Sequence, residues 1–101
     1  MDKHNINLNI HYTAPDEVWE KLALVYTEMP YWKGIINGDP VWKDDNGKLV
    51  EISVEPSGLQ FYAEMPTEEW NLWIELFKTK ASKLLGYEIG EPEDGYDFKY
   101  Y

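Results

Sequence analysis

The sequence predicts a single α+β domain over residues 1–101: an antiparallel or mixed sheet of four or five strands with two helices packed on one face, in the order β-α-β-β-(β)-α-β. Three observations carry that expectation. Period-two alternation of apolar and polar residues recurs in short runs. Two longer stretches repeat their apolar residues at helical spacing. Turn-forming groups such as Asn46-Gly47 and Pro56-Ser57-Gly58 punctuate the chain between them. A chain of 101 residues has room for one core, and 44% hydrophobic residues suffice to build it.

Ile6, Leu8, Ile10 and Tyr12 alternate with Asn5, Asn7, Asn9 and His11, which predicts a first strand with one apolar face and one amide-rich polar face, either solvated or used for binding. The segment TAPDEVWEKLALVYTEM follows as a helix. Thr13 is placed to cap it, Pro15, Asp16 and Glu17 suit its first turn, and Pro30 ends it. Val18, Leu22, Val25 and Met29 form its apolar stripe, widened by Trp19, Ala23 and Tyr26. PYWKGIINGDP reads as a connection containing a short edge strand around Ile35 and Ile36. VWKDDNGKLVEISVEP reads as a hairpin in which Asn46-Gly47 supplies the positive φ angles of a two-residue type I′ turn. Pro56, Ser57 and Gly58 then turn the chain into LQFYAEM, a strand with Leu59, Phe61, Ala63 and Met65 on one side.

PTEEWNLWIELFKTKASKLLG is the clearest helix. Thr67 is placed to cap it, Glu68 and Glu69 favour its positive end, Lys78, Lys80 and Lys83 favour its negative end, and Gly86 stops it. Trp70, Trp73, Ile74, Phe77, Ala81 and Leu84 keep helical spacing. Leu72 and Leu76 exceed what one sheet contact needs, so the helix is either deeply seated or carries an exposed apolar patch. The remaining chain is expected to add a strand over residues 87–89, an acidic loop, and a further strand over residues 96–101.

The net charge of −10 argues against nucleic acid and against anionic membrane, since an acidic surface repels both; a basic protein partner, or solubility alone, fits better. There is no Cys, hence no disulfide, no thiolate nucleophile and no Cys-based zinc site. All nine basic residues are Lys, so a bidentate Arg clamp for phosphate or carboxylate is excluded. MDKHNINLNIHYT lacks the apolar stretch of a signal peptide, and no apolar run approaches the ~20 residues that span a bilayer. These features together suit a cytoplasmic protein.

No motif names a reaction. His4 and His11 are the only histidines, and neither has a partner that spacing can place. WKDDNGKLVEIS fails as a calcium loop: with Gly47 at the invariant glycine, the first and last ligand positions fall on Trp42 and Ser53. Ser53, Ser57 and Ser82 sit in no nucleophile elbow, and no glycine-rich phosphate loop occurs. The chain is therefore read as a non-enzyme without cofactor or metal.

One cluster stands apart. Glu91, Glu93, Asp94 and Asp97 lie close together with Tyr96 and Phe98 interleaved, and Pro92 and Gly95 shape the segment as a loop. It is a solvated acidic turn beside an edge strand, or a set of carboxylates offered to Lys and Arg of a partner with Tyr96 as a flat anchor, or, as the least favoured reading, a calcium site. Five Trp and eight Tyr add modest support for binding, and Tyr31 with Trp32 forms a second interface candidate. In size, acidity, lack of Cys and α+β pattern the whole chain resembles the small acidic immunity proteins that accompany bacterial toxins. That resemblance implies occlusion of a basic toxin site, with Glu91, Glu93, Asp94, Tyr96 and Asp97 standing in for substrate phosphates. Two other readings stay open: a small-molecule-binding or enzymatic domain with an aromatic-lined pocket, and a phage or mobile-element accessory protein that self-associates through the second helix.

Overall fold

The computed structural model describes residues 1–101. Its elements run β1 (Lys3–Leu8), α1 (Asp16–Glu28), β2 (Trp32–Ile36), β3 (Asp39–Lys43), β4 (Leu49–Glu55), β5 (Gly58–Glu64) and α2 (Thr67–Leu85), followed by a 3₁₀ turn at Pro92–Asp94. The five strands form one sheet in the order β1-β5-β4-β3-β2, antiparallel throughout. β1 and β2 are its two edges, so α1 carries the chain across the width of the sheet. The expected α+β architecture is what the chain adopts, with both helices against the same sheet face.

Helical spacing and strand parity meet in the core. α1 buries Val18, Leu22, Val25 and Tyr26, and α2 buries Trp70, Trp73, Ile74, Phe77 and Ala81. Val50 and Ile52 of β4 and Leu59, Phe61 and Ala63 of β5 meet them from the sheet. Trp42 is fully buried, its ring 5.2 Å from Trp73 and 5.4 Å from Tyr26, and its indole N–H donates to the Tyr26 carbonyl at 2.9 Å. Phe61 packs edge-on to Phe77 at 4.9 Å. Such pairs add about 0.5–1.5 kcal/mol each beyond area burial, and here they fill the space between sheet and helices.

Turn chemistry departs from the expectation in an instructive way. The type I′ turn lies at Asn37-Gly38, where both residues have positive φ (54° and 89°) and join Ile36 directly to Asp39. At the other Asn-Gly pair only Gly47 has positive φ, at 93°. There the Asp44 carboxylate accepts from the backbone N–H of Asn46 (3.0 Å) and of Lys48 (2.9 Å), which holds a wider loop. Gly58 is needed for a different reason: its φ is 127°, and a Cβ there would strike the Leu8 carbonyl of the neighbouring strand.

The helix caps also differ. α1 begins at Asp16 after Pro15, and Thr13 instead pairs with His11, its hydroxyl 2.7 Å from Nδ1. For α2, Thr67 is the first helical residue. Its backbone N–H and its hydroxyl both donate to the Asp2 carboxylate, at 3.0 and 2.6 Å, so the cap is supplied from the far end of the chain. Those two bonds hold the Asp2 carboxyl below its ordinary range.

The largest corrections concern Asn9 and the segment after α2. Asn9 is fully buried rather than on the solvated face, because β1 ends at Leu8 and the later chain covers it. No strand forms over residues 87–89 or 96–101. The Asn9 side chain takes the backbone groups that a ladder would use: Nδ2 donates to the carbonyls of Glu88 (2.9 Å) and Asp97 (2.8 Å), and Oδ1 accepts from the Gly90 N–H (2.8 Å). Replacing Asn9 by Ala would leave the buried Gly90 N–H and the part-buried carbonyls of Glu88 and Asp97 without this partner. We expect Asn9→Ala to cost roughly 2–4 kcal/mol in urea unfolding, against under ~0.5 kcal/mol for Asn5→Ala on the exposed face. Equal losses at the two positions would contradict the assignment.

Candidate functional site

With both helices on one side, the other sheet face is open. β-strand parity places Asn5 and Asn7 of β1, Gln60 and Tyr62 of β5, and Glu51 and Ser53 of β4 on it, in register across three strands. Two adjoining clefts of about 310 Å³ each lie there. The first is walled by Glu91, Pro92 and Glu93 against Asn5, Asn7 and Gln60. The second runs toward Asp39, Glu51 and Tyr62, and the two share Asn5 and Gln60. No lysine lines either one. Burial and a hydrogen bond to Glu64 raise the Tyr62 phenol, so it stays protonated as a donor among acids.

Glu91 and Glu93 hold their places because the chain on either side is pinned. Gly90 is held by Asn9, the Ile89 N–H donates to Ser82 Oγ at 2.9 Å, and Ile89 enters the core. Pro92 opens the 3₁₀ turn, and Gly95 closes it at φ 96° with its N–H on the Pro92 carbonyl. Asp94 donates its N–H to the Glu91 carbonyl at 3.0 Å. Partial burial raises the Glu91 carboxyl above the ordinary range, and the nearby acids Asp94 and Glu93 push the same way against Lys78.

The other residues singled out from the sequence are spread further. Tyr96 lies flat against Gly90, where a Cβ would enter its ring, and borders a separate cleft with Lys78, Ser82 and Glu88. Asp97 contributes its carbonyl to Asn9 and leaves its side chain in solvent. Phe98, beside His11 at 5.7 Å, is half-buried. Tyr31 and Trp32 stand at the opposite edge of the sheet, at the start of β2. Trp32 is half-buried against Trp42, 5.2 Å away. Tyr31 has a left-handed φ of 74°, and its hydroxyl donates to Glu69 at 2.5 Å while Lys48 bridges to the same carboxylate at 2.7 Å. The structure thus groups Glu91, Glu93 and Asp94 on one turn, adds Tyr96 and Asp97 beside it, and keeps Tyr31 and Trp32 apart.

Leu72 and Leu76 do form an exposed patch: Leu72 is 74% accessible, and both border a cleft of about 150 Å³ with Pro30, Tyr31 and Trp73. The sequence placed Asn5 on a polar strand face but did not join Glu51, Gln60 and Tyr62 to it as a site. Their alternation was visible, but only the long-range β1–β5 pairing brings them beside Glu91. No group of three or more His, Cys, Asp or Glu side chains is arranged to hold a metal ion, and no helix is long and apolar enough to cross a membrane. No protein-family model, curated protein or solved structure matches the chain.

A carboxyl whose ionisation is disfavoured in the folded state weakens folding once it is charged. Folded and unfolded chains bind the Glu91 proton equally below the unfolded pKa of about 4.3, and stability is then lost as pH rises through the folded value. Glu91→Gln is therefore expected to raise Tm slightly at pH 7 and to leave it unchanged at pH 3.5. A lower Tm at pH 7 would show that Glu91 has a stabilising partner.

Proposed function

We propose that this protein is a non-catalytic binding module whose acid-walled open face covers a basic surface of a protein partner. The observation that carries the reading is the first cleft: Glu91 and Glu93 overhang the amides of Asn5, Asn7 and Gln60, with Glu51 and Asp39 further along and no lysine among them. Fixed carboxylates beside neutral amides suit Lys and Arg side chains, and the net charge of −10 speeds encounter with a cationic partner. Tyr96 and Asp97, next to the turn, extend the surface. The concrete form of the proposal is an immunity-type protein of a bacterial cytoplasm that neutralises a toxin by occluding its basic site. On this reading the protein needs no cofactor and no nucleic acid.

The aromatic rings that an interior ligand pocket would use pack on one another instead, as at Trp42, Trp73, Phe61 and Phe77. That favours binding at the surface over binding within. The exposed Leu72 and Leu76 favour a second reading, self-association through α2, which sedimentation at increasing concentration would reveal as a rise in mass.

Affinity for a basic partner, recovered by affinity capture and then purified, is expected to fall steeply between 50 mM and 500 mM salt. Charge reversal at Glu93 and Asp94 should slow association and weaken binding by about tenfold or more, with Tm little changed. A salt-independent affinity that survives both reversals would overturn the proposal.

A further inference from the structure

The first cleft runs beside a free sheet edge. β1 has one hydrogen-bonded neighbour, β5, and its other side is unpaired along the strand. Successive residues of a strand direct their N–H and C=O groups to opposite sides. Two hydrogen bonds fix which residues face which way. The Asp2 carbonyl accepts from Met65 N–H at 3.0 Å on the β5 side, and Asn9 N–H donates to the Gly90 carbonyl at 3.0 Å on the other. By that parity, the backbone groups of Lys3, Asn5 and Asn7 point out from the free edge.

The chain's own later segment uses this edge at Asn9 and then leaves it. After Gly90 it turns away in the 3₁₀ turn, so the edge beyond Asn9 continues empty beside Glu91 and Glu93. Edge strands are usually blunted by a bulge, a proline or a cover. β1 pairs without interruption from Lys3 to Leu8 and has no proline; its one protective feature is Lys3 at the far end. The opposite edge, β2, does carry a bulge, between Trp32 and Gly34.

We propose that the partner contributes an extended segment bearing Lys or Arg side chains, which adds along β1 as a sixth strand. Its backbone pairs with Asn5 and Asn7, and its basic side chains lie on Glu91 and Glu93. Main-chain bonds supply affinity in this mode and side-chain pockets supply selectivity. The inference rests on the basic-partner reading above and adds the mode of binding.

The test is an NMR titration of the labelled protein with a capped peptide of alternating Lys and Val, beside a fully N-methylated peptide of the same sequence and charge. The expected result is a shift of the Asn5 and Asn7 amides, slower exchange at both, and affinity for the N-methylated peptide lower by about tenfold or more. The doubly substituted E91Q/E93Q protein, checked for unchanged circular dichroism, should bind the first peptide more weakly by a similar factor. Equal binding of both peptides, with affinity still lost in E91Q/E93Q, overturns strand addition and leaves the basic-partner reading standing. Absence of binding by either peptide also overturns strand addition.

Discussion

Asn9 is a fully buried amide with every polar group satisfied. Its backbone N–H reaches Gly90, its carbonyl accepts from the Tyr87 hydroxyl at 3.0 Å, and its side chain bonds Glu88, Gly90 and Asp97. A buried amide without partners would cost several kcal/mol, so this arrangement is stable only when residues 87–97 are in place. The dependence is mutual. The segment has no ladder of its own, and Asn9 supplies what a strand partner would. Ile89 in the core and the half-buried Phe98 anchor it by apolar contact on either side of the acids. The acidic turn is thereby suspended between two fixed points, and a partner that binds it has less chain entropy to remove.

That arrangement divides the molecule into two surfaces. One sheet face is closed by a stack of aromatic rings under two helices. The other carries amides, hydroxyls and carboxylates, with the pinned turn rising along its β1 edge. The excess of acidic over basic residues is large, but its meaning depends on place. Lys48, in the β3–β4 connection, pairs with Glu69 of α2, and Lys80 of α2 lies 3.6 Å from Glu28 of α1, so part of the charge is neutralised within the protein. The carboxylates of Glu91 and Glu93 have no such partner within the protein.

What could be read from the sequence followed from local periodicity. Both helices and the strands at Val50–Val54 and Leu59–Ala63 lie close to where spacing put them, because each is decided within a few turns or pleats; the exposure of Leu72 was one of two readings that spacing left open. The misplacements share one cause, which is that another group, near or far in sequence, won the competition for the same backbone. Asn46-Gly47 has the sequence of a type I′ turn, but the Asp44 carboxylate accepts from the amides of Asn46 and Lys48, and Asn37-Gly38 makes the tight turn instead. Thr67 has the chemistry of a cap, but the Asp2 carboxylate takes that position. Asn9 continues the alternation of Asn5 and Asn7, yet the strand ends one residue earlier and the amide turns inward. In the candidate site, the Glu91–Asp97 cluster was legible from composition. Its neighbours across the sheet were not, since they come from β1, β4 and β5 at sequence separations that no local pattern encodes.

The most direct test of this account is native-state hydrogen exchange at the Gly90 amide. Its acceptor is the buried Oδ1 of Asn9, so the account predicts protection close to that of the Phe61 and Ile52 amides in the central strands, lost only on global unfolding. Exchange at Gly90 as fast as at an exposed loop, with the central strands still protected, would show that the C-terminal segment is not held by Asn9 and would remove the basis for a fixed acidic turn.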